Sequence, residues 1–399
     1  MATICVCPTG AEVQSFSNIQ FSTYSTVSGI NEYQWNNMVP AGNLLMQTPN
    51  LRLLESLHAG TLDFRYVVAK ENDTTLGVLY FQVVKFEAAQ LLNYFPEDKY
   101  QWLKGISTTI LKRINARLLV SGNVFMTGEN GYYFHNGVDE AKKAAVLRLA
   151  VRQIMREDNS INAVLISDLY APKTAFDDKF LMHGYHQITV ESDMSLHIRP
   201  EWKTMDDYLN SFSSKYRVRA KKVFALCQDA GVVVRELSAT EISIYQNTLY
   251  DLYNNVMANA DFKLATLSPD FFAQQKQLMP QNYRLFAYFK ADEMIGFISA
   301  FNFGKRMEVH YTGMKHEVSR PIHLYQHMMY DMVKAGIDCG AERLHFGRTA
   351  PEIKSTIGAS PSPMYGYLKH RNPVFNFMLV KPYTANLRPK EYVFRNPFK

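Results

Sequence analysis

The chain has 399 residues and a formal net charge of +6, with 47% hydrophobic and 20% charged residues. This composition excludes an intrinsically disordered or collagen-like protein, and the mild positive charge excludes a protein that coats nucleic acid while permitting an anionic ligand. The length exceeds what one ordinary hydrophobic core contains, so we expect two domains.

The cysteines and the apolar runs indicate where the protein works. Its four cysteines are few and scattered, which is typical of a reducing compartment: Cys5, Cys7, Cys227 and Cys339. Cys5 and Cys7 have no second pair at ligand spacing, so we expect no metal site. No apolar run reaches the ~18 residues of a membrane span, and the first residues lack a signal-peptide pattern. We therefore expect a cytoplasmic protein without a transmembrane segment.

The first half of the chain mixes helical and strand patterns. In order, these predict helices within residues 31–59, a β-hairpin at 64–85, one or two helices within 96–114, a short strand at 118–120, a long helix from Asp139 to about Arg156, and strands at 163–166 and 188–198. Pro200 then marks the predicted boundary between a first lobe, residues 1–200, and a second lobe, residues 201–399.

The second half follows a similar order. Its patterns predict a basic helix at about 214–229, a strand at 232–236, helices at about 240–258 and 268–279, a hairpin at 284–303, a strand at 306–311, a long helix at about 321–336, a strand at 343–346 and a polar loop at 347–363. An aromatic-rich segment ends the chain.

The two halves repeat one pattern. Residues 65–83 and 284–301 each read as a strand, a polar turn and a second strand that opens on a glycine, Gly77 in one case and Gly296 in the other. A long helix and another strand follow each hairpin. The repetition predicts an α+β protein of two similar lobes, each a mixed, mostly antiparallel sheet flanked by helices. A cleft between lobes is a common place for a ligand site.

Five cations lie within eight positions of the basic helix. At helical spacing Lys215, Arg219 and Lys222 share one face, with Tyr216 beside them. Like charges on one helix face repel each other, and a bound anion would remove that repulsion. We therefore predict an anionic substrate or partner at this face, with an ordinary solvated surface as the alternative.

The start of the second long helix predicts a phosphate site. Ser319 suits the N-cap and Pro321 the first turn, so Arg320 would lie beside free backbone N–H groups and the positive end of the helix dipole. Ile322 and His323 complete this candidate cofactor site. The corresponding helix of the first lobe opens with Asp139 and Glu140, which would repel a phosphate. An ordinary capped helix is the alternative.

Two stretches supply candidate residues for general acid–base chemistry, which needs one group to take up a proton and another to release one. In the strand from Arg306, the residues Glu308, His310 and Thr312 share one predicted face. Glu308 and His310 are candidate bases, and Tyr325 is the candidate acid. His310 as a hydrogen-bonded core residue is the alternative, and His345 reads as structural because its strand neighbours are apolar.

The predicted loop 347–363 supplies the remaining candidates, because polar loops at strand ends often carry function. Arg348 and Lys354 are predicted to contact substrate, and Glu352 is a rival base.

These stretches resemble one group of proteins. Lys215-Tyr216-Arg217 with Lys221-Lys222, and Gly347-Arg348-Thr349 with Glu352-Ile353-Lys354 and Gly358-Ala359, resemble elements of Fem-type and related bacterial acyltransferase-like proteins. Trp35 and residues 51–55 fit the opening of such chains, and the resemblance spans roughly residues 30–380. It implies two tandem folds of the GNAT (acyl-CoA N-acyltransferase) superfamily, with the second lobe as the catalyst and a coenzyme A thioester as co-substrate. One departure is that residues 315–321 contain no glycine, where GNAT members have a glycine-rich loop.

The expected function is an N-acyltransferase that moves an acyl group from an acyl-CoA-type thioester to an amine of a small molecule or an amino-acid headgroup. One alternative is a Fem-type aminoacyl transferase that uses charged tRNA in peptidoglycan synthesis, although the long helical hairpin often found in those enzymes has no counterpart here. The other is a non-catalytic protein that binds an anionic or phosphorylated ligand. No nucleic acid other than charged tRNA is expected as a partner.

Overall fold

The computed structural model describes residues 18–87, 115–170, 174–259, 263–386 and 391–399. The helices predicted within residues 96–114 and the Cys5–Cys7 pair lie outside these ranges. No helix in the described part of the chain is long and apolar enough to span a bilayer.

The strands join into one sheet. They are β1 (Ile19–Tyr24), β2 (Leu62–Glu71), β3 (Thr74–Glu87), β4 (Asn115–Ser121), β5 (Tyr132–Phe134), β6 (Ile161–Tyr170), β7 (His186–His197), β8 (Val232–Glu236), β9 (Tyr283–Lys290), β10 (Glu293–Asn302), β11 (Arg306–Met314), β12 (Arg343–His345) and β13 (Ser360–His370).

Helices connect these strands and cover both faces of the sheet. They are α1 (Glu32–Met38), α2 (Thr48–Leu57), α3 (Glu140–Glu157), α4 (Thr174–Leu181), α5 (Met205–Asn210), α6 (Ser214–Asp229), α7 (Ala239–Ile244), α8 (Gln246–Met257), α9 (Phe271–Leu278), α10 (His316–Ser319), α11 (Leu324–Asp338), α12 (Pro351–Thr356), α13 (Pro373–Phe375) and α14 (Lys381–Asn386). Short 3₁₀ turns lie at Val27–Gly29 and Leu44–Met46, and a π-turn joins α13 to α14 at Asn376–Val380.

The strand order of the sheet is a palindrome of the two halves. It runs β1-β2-β3-β4-β6-β13-β7-β12-β11-β10-β9-β8, with β5 also paired to β3. The strands β1, β2, β3, β4, β6 and β7 of the first half correspond to β8, β9, β10, β11, β12 and β13 of the second. When each strand is replaced by its counterpart and the order is read backwards, the same order results. The α+β fold of two similar lobes, predicted from the repeated hairpins, is confirmed. The lobe boundary at Pro200 stays a prediction.

The lobes exchange their last strands at the centre of the sheet. β7 pairs with β12 of the second half, β13 pairs with β6 of the first half, and β7 and β13 pair with each other along most of their lengths. Each lobe therefore completes the sheet of the other, which the hydrophobic pattern did not predict.

The repeated hairpins use the same turn. The two central residues have positive φ in both, Asn72 and Asp73 at 48° and 63° and Ala291 and Asp292 at 46° and 63°. Two positive φ values are characteristic of the type I′ turn, whose twist matches the flanking strands. The match extends the repeat from the sequence pattern to the backbone.

Alternate strand residues divide between the two faces, as period-2 patterning requires. On one face a single core packs α1 and α2 of the first half together with α7, α8 and α9 of the second. On the other face the core beneath α5, α6 and α11 is separate from the core beneath α3 and α4. One shared core and the exchanged strands thus tie the halves together.

Several predicted elements match the structure, and others differ. The basic helix, predicted at about 214–229, is α6, and the strand predicted at 232–236 is β8. The second long helix begins at Leu324 rather than 321, because residues 316–319 form the short helix α10 and a turn follows. The predicted loop 347–363 contains α12 and the start of β13, whose early prolines concealed the strand pattern.

Candidate functional site

Strands β11 and β12 begin side by side and then separate. They are paired at three positions, Arg306–Arg343, Met307–Leu344 and Glu308–His345. β12 ends there, whereas β11 continues to Met314 with β10 as its partner on the other side. This opens a gap, which we call the wedge, between residues 309–314 and the chain of residues 346–350 that leaves β12.

A β-bulge lies where the strands separate. Ala300 faces Val309 and Ile298 faces Thr312, so Ser299 alone stands opposite His310 and Tyr311. The Ser299 hydroxyl donates to the Tyr311 carbonyl and accepts from its N–H, both at 3.1 Å. The extra residue shifts the alternation, and Thr312 therefore lies against Met328 of α11. The prediction that Thr312 shares a face with Glu308 and His310 is wrong for this reason.

Four polar side chains gather around the last paired position, Glu308–His345, and we call them the vertex: Arg306, Glu308, His345 and Asp193. Glu308 is 12% exposed and forms an ion pair with Arg306 at 3.1 Å. Burial raises the pKa of the Glu308 carboxyl above its ordinary value, while Arg306 and His345 oppose this rise and Asp193 adds to it. A raised pKa makes the carboxylate a stronger base, which suits it to take up a proton.

Asp193 organises the vertex from the neighbouring strand β7. It is fully buried, and its carboxylate accepts from His345 Nδ1–H at 2.6 Å, the Gly347 N–H at 3.1 Å and the Tyr170 hydroxyl at 3.2 Å. An aspartate that holds one imidazole nitrogen fixes the ring and leaves the other nitrogen for chemistry. The apolar neighbours of His345 led to its interpretation as structural, and Asp193 was missed because its partner lies 152 residues away along the chain.

Arg348 and Lys354, both predicted substrate contacts, lie next to the vertex. Arg348 Nη1 donates to Asp168 of the first lobe at 2.9 Å. The Lys354 ammonium is buried and donates to the carbonyl oxygens of Phe346 and Gly347 at 2.6 and 3.2 Å. Burial lowers the pKa of Lys354 to about 7, with Asp193 and Glu191 opposing the change.

The His310 imidazole lies among aromatic side chains and does not face solvent. Its ring packs against Phe271, Phe301 and Tyr311, and its Nε2–H donates to the Phe125 carbonyl at 3.2 Å. Nδ1 is buried without a hydrogen-bond partner. Burial lowers the pKa of His310 to about 3, so the imidazole is neutral at physiological pH. These contacts match the alternative of a core histidine, and its role as a base stays a prediction.

Tyr325 lies at the other wall of the wedge, in the first turn of α11. Its hydroxyl lies near the Thr349 side chain. Burial raises the pKa of Tyr325, which keeps the hydroxyl protonated and able to donate.

The predicted cofactor residues form the turn before this helix. Ser319 does not cap α11: it ends α10, and its hydroxyl is buried without a partner. Arg320 and His323 are exposed, and His323, with φ of 52°, is the actual N-cap and makes no side-chain cap. Ile322 is buried, and its carbonyl accepts from the Cys227 thiol at 3.4 Å. The first N–H groups of α11 therefore lack a capping side chain.

The remaining predicted residues lie elsewhere. Lys215, Arg219 and Lys222 are exposed on α6 and form no ion pair with a carboxylate in the described ranges, while Arg219 lies 5.6 Å from the Tyr216 ring centroid. Glu352 holds the C-terminal segment through the Val393 N–H at 3.1 Å and Arg395 at 3.6 Å. The described residues contain no cluster of three His, Cys, Asp or Glu side chains able to hold a metal ion.

Comparisons with known proteins show which solved structures share this fold. FemX is similar in fold, with 14% sequence identity and a TM-score of 0.53 over 90% of this chain and 99% of FemX. A tandem GNAT protein from the clavulanic acid biosynthesis pathway, solved without AcCoA, is similar at 9% identity and a TM-score of 0.50 over 89% of this chain and 99% of its own. No curated protein sequence matches the chain.

These likenesses confirm the predicted Fem-like, tandem GNAT-like fold. A family model, FemAB-like, described by peptidoglycan biosynthesis and recognition, matches residues 128–391, which is well over half of the chain. The chain therefore belongs to the FemAB-like family.

Proposed function

We propose that the protein is a transferase that moves an acyl group from an activated carrier to the amine of a small molecule or an amino-acid headgroup, and that the reaction takes place at the wedge. The vertex carries this proposal: a carboxyl of raised pKa, Glu308, adjoins a histidine held by a buried aspartate at the point where two strands part. Membership of a family described by peptidoglycan biosynthesis supports an acceptor that contains amino acids.

The vertex residues can balance the protons of such a transfer. The amine nitrogen attacks the carbonyl carbon of the donor, a C–N bond forms, and the bond from that carbon to the carrier sulfur or oxygen breaks. Glu308, or His345 through Nε2, takes the proton that the amine loses. The Tyr325 hydroxyl, at the opposite wall, gives a proton to the leaving group.

A coenzyme A thioester is the first candidate donor. The edge of β11 past Glu308 has no strand beside it among the described residues, so its backbone groups can pair with the amide-bearing arm of coenzyme A. The uncapped start of α11 and the exposed Arg320 offer N–H groups and positive charge to phosphates.

Charged tRNA is the second candidate donor, and a different observation favours it. Lys215, Arg219 and Lys222 form an exposed row of cations on α6 without carboxylate partners among the described residues, which suits a polyanion. In addition, the short helix α10 stands where a glycine-rich loop was expected.

The cytoplasmic location and the non-catalytic alternative stay predictions.

A paired donor assay tests the proposal. Purified protein is offered acyl-CoA or aminoacyl-tRNA with a panel of amino-acid amines, and amide products are measured by mass spectrometry. We expect one donor to give product and Glu308→Gln to lower kcat/KM by about 10²–10⁴-fold, the usual effect of losing a general base. Glu293→Gln is the matched control, because Glu293 is 60% exposed on β10 and pairs with Lys315 at the surface.

Three results would contradict the proposal. Binding of either donor without turnover would favour the non-catalytic protein. Full activity in Glu308→Gln and in His345→Gln would remove the vertex from the reaction. Equal loss in Glu293→Gln would show that the effect is not specific to the vertex.

A further inference from the structure

An exposed apolar surface lies on the segment that follows β13. Val374, Phe375, Phe377 and Met378 are 58%, 50%, 65% and 56% exposed. The polar residue among them points inward: Asn376 is buried, and its amide donates to the Gly184 carbonyl at 2.8 Å and accepts from the His370 N–H at 2.8 Å. Helices of soluble domains usually bury their apolar face. Here the fold buries the asparagine and presents the apolar side chains to solvent.

The contact between Asn376 and Gly184 brings a second apolar pair alongside. Leu181 and Met182, just before Gly184, are 46% and 70% exposed. We call these six exposed side chains, which the Asn376–Gly184 hydrogen bond holds in one region, the apolar patch: Leu181, Met182, Val374, Phe375, Phe377 and Met378. Soluble monomers seldom expose contiguous apolar surface of this kind, and where they do it marks an interaction site.

Cations border the apolar patch. Lys381 Nζ lies 5.1 Å from the Phe377 ring centroid, and Lys369 Nζ lies 5.0 Å from that of Tyr185. Arg148 and Arg152 of α3 are close enough to Lys369 to add to the lowering of its pKa that burial causes. Neither lysine forms an ion pair with a carboxylate in the described part of the chain, although Lys369 Nζ donates to the His183 carbonyl at 2.7 Å, so the two lysines add positive charge to this border.

We propose that the apolar patch and its cations bind the interface of a membrane that contains anionic phospholipids. The aromatic, methionine and aliphatic side chains enter the boundary between headgroups and acyl chains, and Lys369 and Lys381 meet the lipid phosphates. A second copy of the chain is a poorer occupant. In a twofold contact the patch would face itself and place the same uncompensated cations opposite each other.

Vesicle co-sedimentation tests the proposal without any assay of transfer. The probes are vesicles of phosphatidylcholine alone and of phosphatidylcholine with phosphatidylglycerol at 3:1. We expect the wild-type protein to bind the anionic vesicles at least about tenfold more tightly than the neutral ones, with the difference shrinking at high salt. The triple variant Phe375→Ser, Phe377→Ser, Met378→Ser is expected to lose at least about tenfold in binding to the anionic vesicles.

A matched control separates the patch from exposed apolar residues in general. Val233→Ser with Ile244→Ser replaces side chains that are 57% and 72% exposed in the second lobe, and this variant should bind as the wild type does. Thermal unfolding of all variants should be unchanged, because the replaced side chains are exposed. Absence of wild-type binding, or equal binding by the triple variant, overturns the proposal. So does a wild-type dimer that the triple variant dissociates in the absence of lipid.

Discussion

The two lobes share one register on both sides of a single position, and they differ at that position. In the first, Tyr80 of β3 stands opposite the loop 122–131, with Phe81 paired to Ser121 and Leu79 to Tyr132. In the second, Ser299 stands opposite the two-residue bulge, with Ala300 paired to Val309 and Ile298 to Thr312. The same position thus holds a long loop in one lobe and a bulge in the other.

The pairs next to this position also differ in chemistry. The first lobe has Val120 beside Leu165, and the second has Glu308 beside His345 in the same register. Val120 is 3% exposed and belongs to the shared core, whereas the Glu308 and His345 side chains are 12% and 19% exposed. The pair in the first lobe is apolar, with Val120 buried and Leu165 partly buried, whereas the pair in the second lobe consists of ionisable side chains.

The long loop of the first lobe reaches the bulge of the second, where the Phe125 carbonyl accepts from His310. Phe125 also stacks on His58 of the first lobe, at 4.3 Å between ring centroids. We infer that duplication left one lobe to support the fold and to brace the other, and the other lobe to hold the reacting groups.

The largest effect is expected when the residue types at the equivalent positions 120 and 308 are exchanged between the lobes. Val120→Glu places an unpaired charge in the core of the first lobe and should lower the free energy of unfolding by about 3–5 kcal/mol. Glu308→Val removes a largely buried carboxyl from the second lobe and should change the free energy of unfolding by less than about 1 kcal/mol. Urea denaturation at pH 7 measures both, and similar losses at the two sites would show that the lobes do not differ in this respect.

The pH dependence sharpens the same test. Because the folded protein raises the pKa of Glu308, its charged form is disfavoured, and the wild type loses stability as pH rises from the ordinary carboxyl value of 4.5 through the raised value. The isosteric Glu308→Gln should therefore gain stability over the wild type across this rise. It should match the wild type at lower pH, and a constant difference at all pH values would contradict the assignment.

The sequence predicted features that depend on local pattern. Helix α6 has its cations on one side and Ala220, Val223 and Cys227 buried on the other, and a strand of valines follows it, so the bounds of both elements were predicted. The hairpin turns were found because short segments that contain aspartate, at Asp73 and Asp292, interrupt the apolar runs. Glu308 was singled out by the alternation of its strand, and Arg348 and Lys354 as cations of a polar loop at a strand end. The structure places Glu308 at the vertex and the two cations next to it.

Features that depend on distant contacts were not predicted. The exchange of β7 and β13 joins strands that are far apart along the chain, and no periodicity records it. The Asp193–His345 contact has the same origin. The position of Thr312 was wrong because a bulge shifts the strand by one residue, and only the register with Ser299 reveals it.

The next largest effect is expected at a pair that joins the lobes. Asp168 and Arg348 each lie three residues past the equivalent positions Leu165 and His345, so the repeat has placed opposite charges at matching sites, 2.9 Å apart. Their side chains are 10% and 33% exposed. A double-mutant cycle with Asp168→Asn and Arg348→Met should give a coupling of about 1–2 kcal/mol, below that of a fully buried pair because water screens the arginine.

The surface pair Lys334–Asp338, 57% and 50% exposed, is the matched control for this cycle. Its coupling should be about 0.3–0.5 kcal/mol, as for other exposed helical pairs. If the two couplings are equal, the pair between the lobes adds nothing beyond a surface contact.

The smallest effects are expected at the starts of the two long helices, where the lobes differ in capping. Asp139 caps α3 by accepting from the Lys142 N–H at 2.8 Å, whereas α11 has no capping side chain and the exposed Arg320 lies just before it. Asp139→Ala should cost about 1 kcal/mol of stability and leave donor binding unchanged. Arg320→Ala should leave stability unchanged and weaken coenzyme A binding by about two- to fivefold at low salt, with a smaller loss at high salt.

Calorimetry on both variants measures these opposite effects on stability and on coenzyme A binding. If Asp139→Ala strengthens donor binding and Arg320→Ala leaves it unchanged, the phosphate site lies at the start of α3 instead, because removing a carboxylate from a helix start favours an anion there.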